Sequence, residues 1–242
     1  MVQPRKIFQS SYKLKRKKFL EYIDSRSFPG RKLPNESDLA KILEMSLGTV
    51  REILREMEMN GTVTKMKGKG NFLNLSTRNI KMRIDLIKDF TDLIEEKGYQ
   101  VNLDTFLMKD EKDERLMHLG EKYFPKRIRS GQYRLIANVY YADSTPAVVG
   151  LFLVPDYPDF KELTDEEFVS KFWDGYIVEF DHAVIHWEVG ALPQTVSKYL
   201  KQPEGLCVQM WSEVHYNKYD ELLCCSYSYF NPEIMEMAMI RK

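Results

Sequence analysis

Between residues 33 and 73 the chain reads LPNESDLAKILEMSLGTVREILREMEMNGTVTKMKGKGNFL, and this stretch constrains the fold more than any other. Asn35 precedes a helical run with Asp38 three residues on, a capping-box-like start. Leu39, Ala40, Ile42 and Leu43 follow at helical spacing. Met45 falls in a turn and Ser46 is the next candidate N-cap. From Leu47 to Met59 the pattern is helical again, with Val50, Ile53, Leu54 and Met57 inward and Thr49, Arg51, Glu52, Arg55 and Glu56 outward. Asn60-Gly61 ends that helix as a left-handed cap would. Thr62–Met66 and Asn71–Leu75 are β-prone runs around Lys67-Gly68-Lys69-Gly70, which predicts a hairpin.

Two short helices, a tight turn and a basic hairpin are the parts of a winged helix-turn-helix. Such a motif presents the first residues of its second helix to base edges, here Ser46, Gly48, Thr49 and Arg51. The hairpin would set Lys65, Lys67, Gly68 and Lys69 along a groove or on phosphates. The plainer alternative is a small helical domain with an ordinary hairpin and a solvated charged face.

Charge separates the two readings. The 36 basic and 36 acidic residues cancel over the chain, but residues 1–78 hold 17 basic and 8 acidic, a balance of +9, leaving −9 for residues 79–242. Lys13, Lys15, Arg16, Lys17 and Lys18 lie on an expected first helix, about Tyr12–Arg26, where a phosphate-contacting role is favoured over a merely solvated face. The start lacks the apolar core of a signal peptide, and no apolar run approaches membrane-spanning length. Cys207, Cys224 and Cys225 make no disulfide framework, so a cytoplasmic location is expected.

Beyond an expected link near Asn74–Lys81 the pattern changes. Ile84, Leu86, Ile87, Phe90, Leu93 and Ile94 predict an amphipathic helix ending at Lys97-Gly98, followed by a strand over Tyr99–Met108 and a partly helical charged run. Strands are expected at Tyr133–Ala142, Ala147–Val154, Ile177–Trp187, Cys207–Tyr216 and Leu222–Phe230, with a short helix over Leu192–Leu200. The class is α+β: a winged helix-turn-helix over 1–76, then 77–242 built on one mostly antiparallel sheet.

Residues 33–73 resemble the winged-helix domain of the GntR family of bacterial transcription regulators. The resemblance rests on Leu33-Pro34-x-Glu36, Leu39-Ala40, Ser46, Thr49-Val50-Arg51-Glu52, Leu54, Glu58, Gly61 and Gly68-x-Gly70-x-Phe72. Ser37 and Leu47 stand where family members usually carry arginine, so Arg51 alone remains of that trio. Residues 84–235 resemble the effector-binding (UTRA) domain of the family's HutC branch, which implies a chorismate-lyase-like fold. The matching residues are Asp89-Phe90, Gly98, Tyr141-Ala142-Asp143-x-x-Pro146, Leu153-x-Pro155, Leu200, Pro203-x-Gly205, Tyr216 and Ser226-Tyr227-Ser228-Tyr229-Phe230. Phe168–Tyr176 departs in length, and no family residue is carried over there.

The resemblance implies a double-stranded DNA operator, a homodimer and a small-molecule effector held near Phe90, Asn138, Tyr140 and Tyr229. Asn138 and Tyr140 replace an Arg-x-Arg pair found in relatives that recognise sugar phosphates, and Gly150 replaces a usual Glu. Absence of both forked cations points to a neutral or aromatic effector. The alternative is a sequence-tolerant DNA-binding dimer whose C-terminal domain has lost its ligand. No nucleophile–base pair or carboxylate dyad stands out, so neither an enzyme nor a cofactor is expected. His182 and His186 lie in an alternating, strand-like run, where a four-residue spacing is not diagnostic of a metal site, and none is expected.

Overall fold

The computed structural model describes residues 11–77, 80–84, 88–109, 111–157, 160 and 162–241. By density of packing the chain divides into two units, one of residues 90–236 and one of residues 5–89 together with 237–242. The sequence reading divides it at 76/77; residues 77–89 and 237–242 cluster instead with the N-terminal unit.

In the N-terminal unit α1 (Ser11–Asp24), α2 (Glu36–Leu43) and α3 (Leu47–Met59) surround one apolar core. Phe19 and Ile23 of α1, Leu39 and Leu43 of α2, and Val50, Ile53, Leu54 and Met57 of α3 are all buried in it. Both caps expected from sequence form: the Asn35 side chain accepts from the Asp38 amide and the Ser46 side chain from the Thr49 amide. Glu44 enters the left-handed region at φ 54° to close α2, and Gly61 does so at φ 74° beyond α3. The hairpin pairs β1 (Val63–Met66) with β2 (Gly70–Leu73), and Lys32 bridges to Phe72 on the far side of β2.

Residues 82–84 and 238–240 complete this unit. The Ala238 amide donates to the Met82 carbonyl and the Ile84 amide to the Ala238 carbonyl, at 3.1 and 3.0 Å. Arg83 is buried and donates to the Asn60 carbonyl at 2.6 Å, at the C-terminal end of α3 where a cation is favoured. Ile240 packs on Gly61, where an added Cβ would meet its Cγ2 at 2.8 Å.

The second unit runs α4 (Phe90–Glu96), β3 (Val101–Met108), α5 (Glu114–Tyr123), α6 (Pro125–Ser130), β4 (Tyr133–Ala142), β5 (Thr145–Pro155), α7 (Asp165–Glu179), β6 (Phe180–Ala191), α8 (Gln194–Leu200), β7 (Cys207–Asn217) and β8 (Leu222–Phe230). Its strands form one sheet in the order β3-β4-β5-β8-β7-β6, antiparallel at every pairing. One face packs Leu135, Val149, Leu151, Leu153, Met210 and Tyr229 against Leu116 of α5 and Val196 and Leu200 of α8. The opposite face packs Ile136, Phe152, Val154 and Cys224 against Phe168, Val169 and Phe172 of α7.

Four elements depart from the sequence reading, one of them α7 (Asp165–Glu179), which has no counterpart among the expected elements. Ile177, expected to open a strand, lies in the last turn of α7, and the strand begins at Phe180. The helix expected from Ile84 is helical over Phe90–Glu96; its expected residues 86 and 87 lie outside the described residues. The α6 turn, opened by Pro125 and closed by Gly131 at φ 67°, has no counterpart among the expected elements.

Candidate nucleic-acid interface and effector site

At the start of α3 the Ser46 hydroxyl is engaged twice, 3.1 Å from the Thr49 amide and 2.8 Å from the Thr49 hydroxyl. Gly48 is exposed, and a Cβ there would meet only Ser46 Oγ, at 3.8 Å. Arg51, one turn on, is 60 % exposed and donates from Nε to Glu36 Oε2 at 2.7 Å. Lys65 approaches the other Glu36 oxygen at 3.8 Å. Glu36, opening α2, thus ties together α3 and the hairpin, and the Arg51 hydrogen bond holds its carboxyl below the usual range.

At the hairpin tip the Lys69 amide donates to the Met66 carbonyl at 3.0 Å, with Gly68 at φ 72°. That turn requires a positive φ at its third residue, which glycine adopts without strain. Lys67, Gly68 and Lys69 are exposed there. On α1 the expected phosphate contacts separate. Arg16 donates to Glu56 at 2.6 Å, beside Tyr12 on the same carboxylate, and so serves to lock α1 to α3. Lys15, Lys17 and Lys18 are exposed, while the Lys13 side chain lies outside the described residues.

In the second unit the cross-strand register aligns Thr105, Asn138, Gly150, Ser228, Trp211 and Trp187 in one row across all six strands. Directly opposed residues of antiparallel strands share a face. Two residues to one side lie Tyr140, Val148 and Phe230; two to the other lie Phe152, Ser226 and Glu213. Phe90 of α4 meets Tyr140, Trp211 and Phe230, with ring centroids 5.5, 5.6 and 5.5 Å away. At the other end Trp173 of α7 meets Phe152 at 5.0 Å, and the Tyr176 hydroxyl lies 2.8 Å from His215 Nδ1.

Between these aromatic clusters the face is polar. Ser228 donates to Glu213 at 3.3 Å, and Ser226 lies 2.9 Å from His215 Nε2. Glu213 keeps a partly accessible surface, yet the protein packed round it removes enough water to push its carboxyl up to about 7. Glu213 thus keeps some contact with solvent while its neighbours remove most of its water. Burial likewise lowers His215 to about 4, keeping it neutral. Asn138 Oδ1, Trp211 Nε1 and Trp173 Nε1 are buried with no hydrogen-bond partner among the described residues. Gly150 explains one departure from the HutC pattern. The Phe152 ring leans to within 3.1 Å of where a Cβ would stand, so any side chain at 150 requires that ring to shift.

Phe90, Asn138 and Tyr140 therefore meet on this face. Tyr229, grouped with them by sequence, does not: it points through the opposite face, fully buried, and donates to Asp113 Oδ2 at 2.7 Å. Alternation accounts for the difference, because Tyr229 is one residue away from both Ser228 and Phe230. A separate open cleft of about 500 Å³ lies between β3, β4 and Leu163, where Lys109 lies 2.5 Å from Asp165. Among the described residues no group of His, Cys, Asp and Glu side chains could hold a metal ion, and no helix is long and apolar enough to cross a membrane.

No family model matches the chain, and no curated protein does. Among solved structures, one described as a possible transcriptional regulator, YydK from Bacillus subtilis, superposes over 96 % of this chain and 99 % of its own, with TM-score 0.61 and 16 % identity. The chain has the YydK fold. PhnF from Mycobacterium smegmatis aligns over 94 % of this chain and 98 % of its own, at 17 % identity and TM-score 0.48. A transcriptional regulator of the GntR family from Enterococcus faecalis aligns over 59 % of this chain and 100 % of its own, at 13 % identity and TM-score 0.40. The YydK match spans both units, and the architecture is the one expected: helices with a β-hairpin wing, then an α+β unit on an antiparallel sheet.

Glu213, His215, Tyr176 and Trp173 are not among the site residues expected from sequence. The signal for two of them is present in β7, where Val208, Met210 and Val214 alternate with Trp211, Glu213 and His215. A strand with an apolar face and an acid and an imidazole between aromatics on the other is informative wherever both faces are covered.

Proposed function

We propose that the chain is a DNA-binding transcription regulator of the GntR family, HutC branch, whose operator affinity is set by a small molecule held in the second unit. The observation that carries this reading is the start of α3. There the exposed Ser46, Gly48 and Arg51 and the half-buried Thr49 form the start of a helix whose first turn carries small side chains. A helix with a bare first turn can enter a major groove, and the flanking lysines add sequence-independent affinity. The row centred on Asn138, Gly150 and Ser228 supplies the effector site, since buried polar atoms without partners are rare outside places that a ligand or water completes.

A homodimer follows from the same reading. β6 is an edge strand on which Val184, Ile185, Trp187 and Val189 are exposed at 44, 41, 47 and 72 %. A long apolar edge is normally covered, and a second β6 running antiparallel would cover it. Two heads on one dimer would read half-sites about one or more helical turns apart.

The deciding experiment is fluorescence anisotropy with the duplex upstream of the chain's own gene and a scrambled duplex, at two salt concentrations. Preference of about a thousandfold or more for the first supports a specific regulator. Equal and steeply salt-dependent binding to both would leave a sequence-tolerant clamp, for which Ser37 and Leu47 in place of arginines are the reason.

A further inference from the structure

We propose that the effector site takes an organic cation: a protonated amine or quaternary ammonium group on an aromatic or hydrocarbon body, with Glu213 as its counter-charge. This rests on the effector reading above and adds the ligand's chemistry.

Four observations lead there. Glu213 is enclosed by protein and accepts one hydrogen bond, from Ser228, to Oε1; among the described residues no cation pairs with it and its second oxygen has no partner. A carboxylate so placed is costly unless a positive charge completes it. The same face does carry Arg134, but that guanidinium is taken: it lies over Phe168 at 4.3 Å, donates to the Phe160 carbonyl at 2.8 Å and pairs with Asp156 at 3.5 Å. Rings flank Glu213 on this face, with Trp211, Phe230, Phe90 and Tyr140 on one side and Trp173 and Tyr176 on the other. Aromatic faces around an acid select cations over neutral molecules and repel anions. Finally, the orphaned atoms define the rest of the ligand. The two indole N–H groups of Trp173 and Trp211 call for an acceptor on it, and the Asn138 carbonyl oxygen calls for a donor.

The plainer explanation is a protonated Glu213 serving only as packing. It accounts for the acid but not for three further unpartnered polar atoms on the same face.

The test uses the whole protein and four probes of similar size: 2-phenylethylamine, benzyltrimethylammonium, 2-phenylethanol and 3-phenylpropionate. The chain's three tryptophans are Trp173, Trp187 and Trp211, and all lie on or beside this face, so intrinsic fluorescence reads occupancy directly. Both cations should quench it and raise the melting temperature, the alcohol should bind roughly tenfold more weakly, and the carboxylate should not bind. Glu213→Gln should weaken the cations by about tenfold or more and leave the alcohol unchanged. Binding of 3-phenylpropionate as tight as that of the amine would overturn the proposal. So would cations inert at about 10 mM, or Glu213→Gln that binds them like wild type. The comparison of probes on the unaltered protein decides the matter even if the variant does not fold. Operator anisotropy in the same samples separates the two levels. Sequence-specific DNA binding with inert cations would sink the pocket chemistry and leave the regulator. Cations that bind without altering DNA affinity would keep the chemistry and remove the effector role.

Discussion

At the scale of single residues, the Arg51–Glu36 pair sets the conditions for the proposed reading of DNA. In the proposed operator contact Arg51 would approach DNA already oriented by the Glu36 carboxylate, which would reduce the rotamer freedom lost on binding. Arg51→Ala should weaken operator binding by about 1–3 kcal/mol and relax preference at one base pair; equal losses on operator and scrambled duplex would make Arg51 a phosphate contact instead. A second prediction concerns Glu213 and His215, on one face of β7. Burial raises the first to about 7 from 4.5 and lowers the second to about 4 from 6.5. Glu213's contribution to stability therefore falls as pH rises from 4.5 to about 7, and His215's falls as pH drops from 6.5 to about 4, so between 4.5 and 6.5 the two slopes oppose each other. Glu213→Gln removes one of them. Relative to wild type the variant should gain up to about 1.4 kcal/mol per pH unit over the Glu213 window, measured by urea unfolding at several pH values. A difference independent of pH would mean that the carboxyl is hydrated.

Elements show why parts of this fold are legible in the sequence. The ends of α2 and α3 can be read to the residue because they are fixed locally, by Asn35 and Ser46 accepting backbone amides and by Gly61 at positive φ. The α7–β6 junction cannot. The run IVEFDHAVIHW is rich in β-branched and aromatic residues, yet Ile177 lies in the last turn of α7, whose Phe168, Val169 and Phe172 are the residues buried against the sheet. The start of α7 does carry a readable signal, since Thr164 and Glu167 form a complete capping box. Of the candidate site, the α3 residues follow from the motif, whereas Glu213 acquires its character from cross-strand neighbours distant in sequence. Gly48 separates folding from function. A Cβ fits in the free protein, so Gly48→Ala should stabilise α3 by roughly 0.5–1 kcal/mol. It should at the same time weaken operator binding if α3 enters the groove with that turn against DNA. Unchanged DNA affinity with a raised melting temperature would place Gly48 away from it. In the wing, Lys67→Ala with Lys69→Ala should lower affinity for every sequence and reduce the log–log salt slope by about 0.9 for each phosphate no longer neutralised.

For the whole molecule, β6 predicts the assembly state. Val189→Lys alters an exposed side chain on the sheet edge, so it should leave the fold intact and yield monomers in sedimentation velocity. Dimers that survive it would place the interface elsewhere. The chain also passes from one unit to the other twice, at 89/90 and again at 236/237. The N-terminal unit is therefore finished by residues that follow the entire second unit in sequence: Ala238 pairs with Met82 and Ile84, and Ile240 sits on Gly61. Synthesis runs in the opposite sense to completion. While the sheet of the second unit is emerging from the ribosome, the helix-turn-helix has its core but not yet the segment that closes over Gly61. The nascent chain thus receives the last segment of its N-terminal unit, the one proposed to bind DNA, only after the unit proposed to control it has been made.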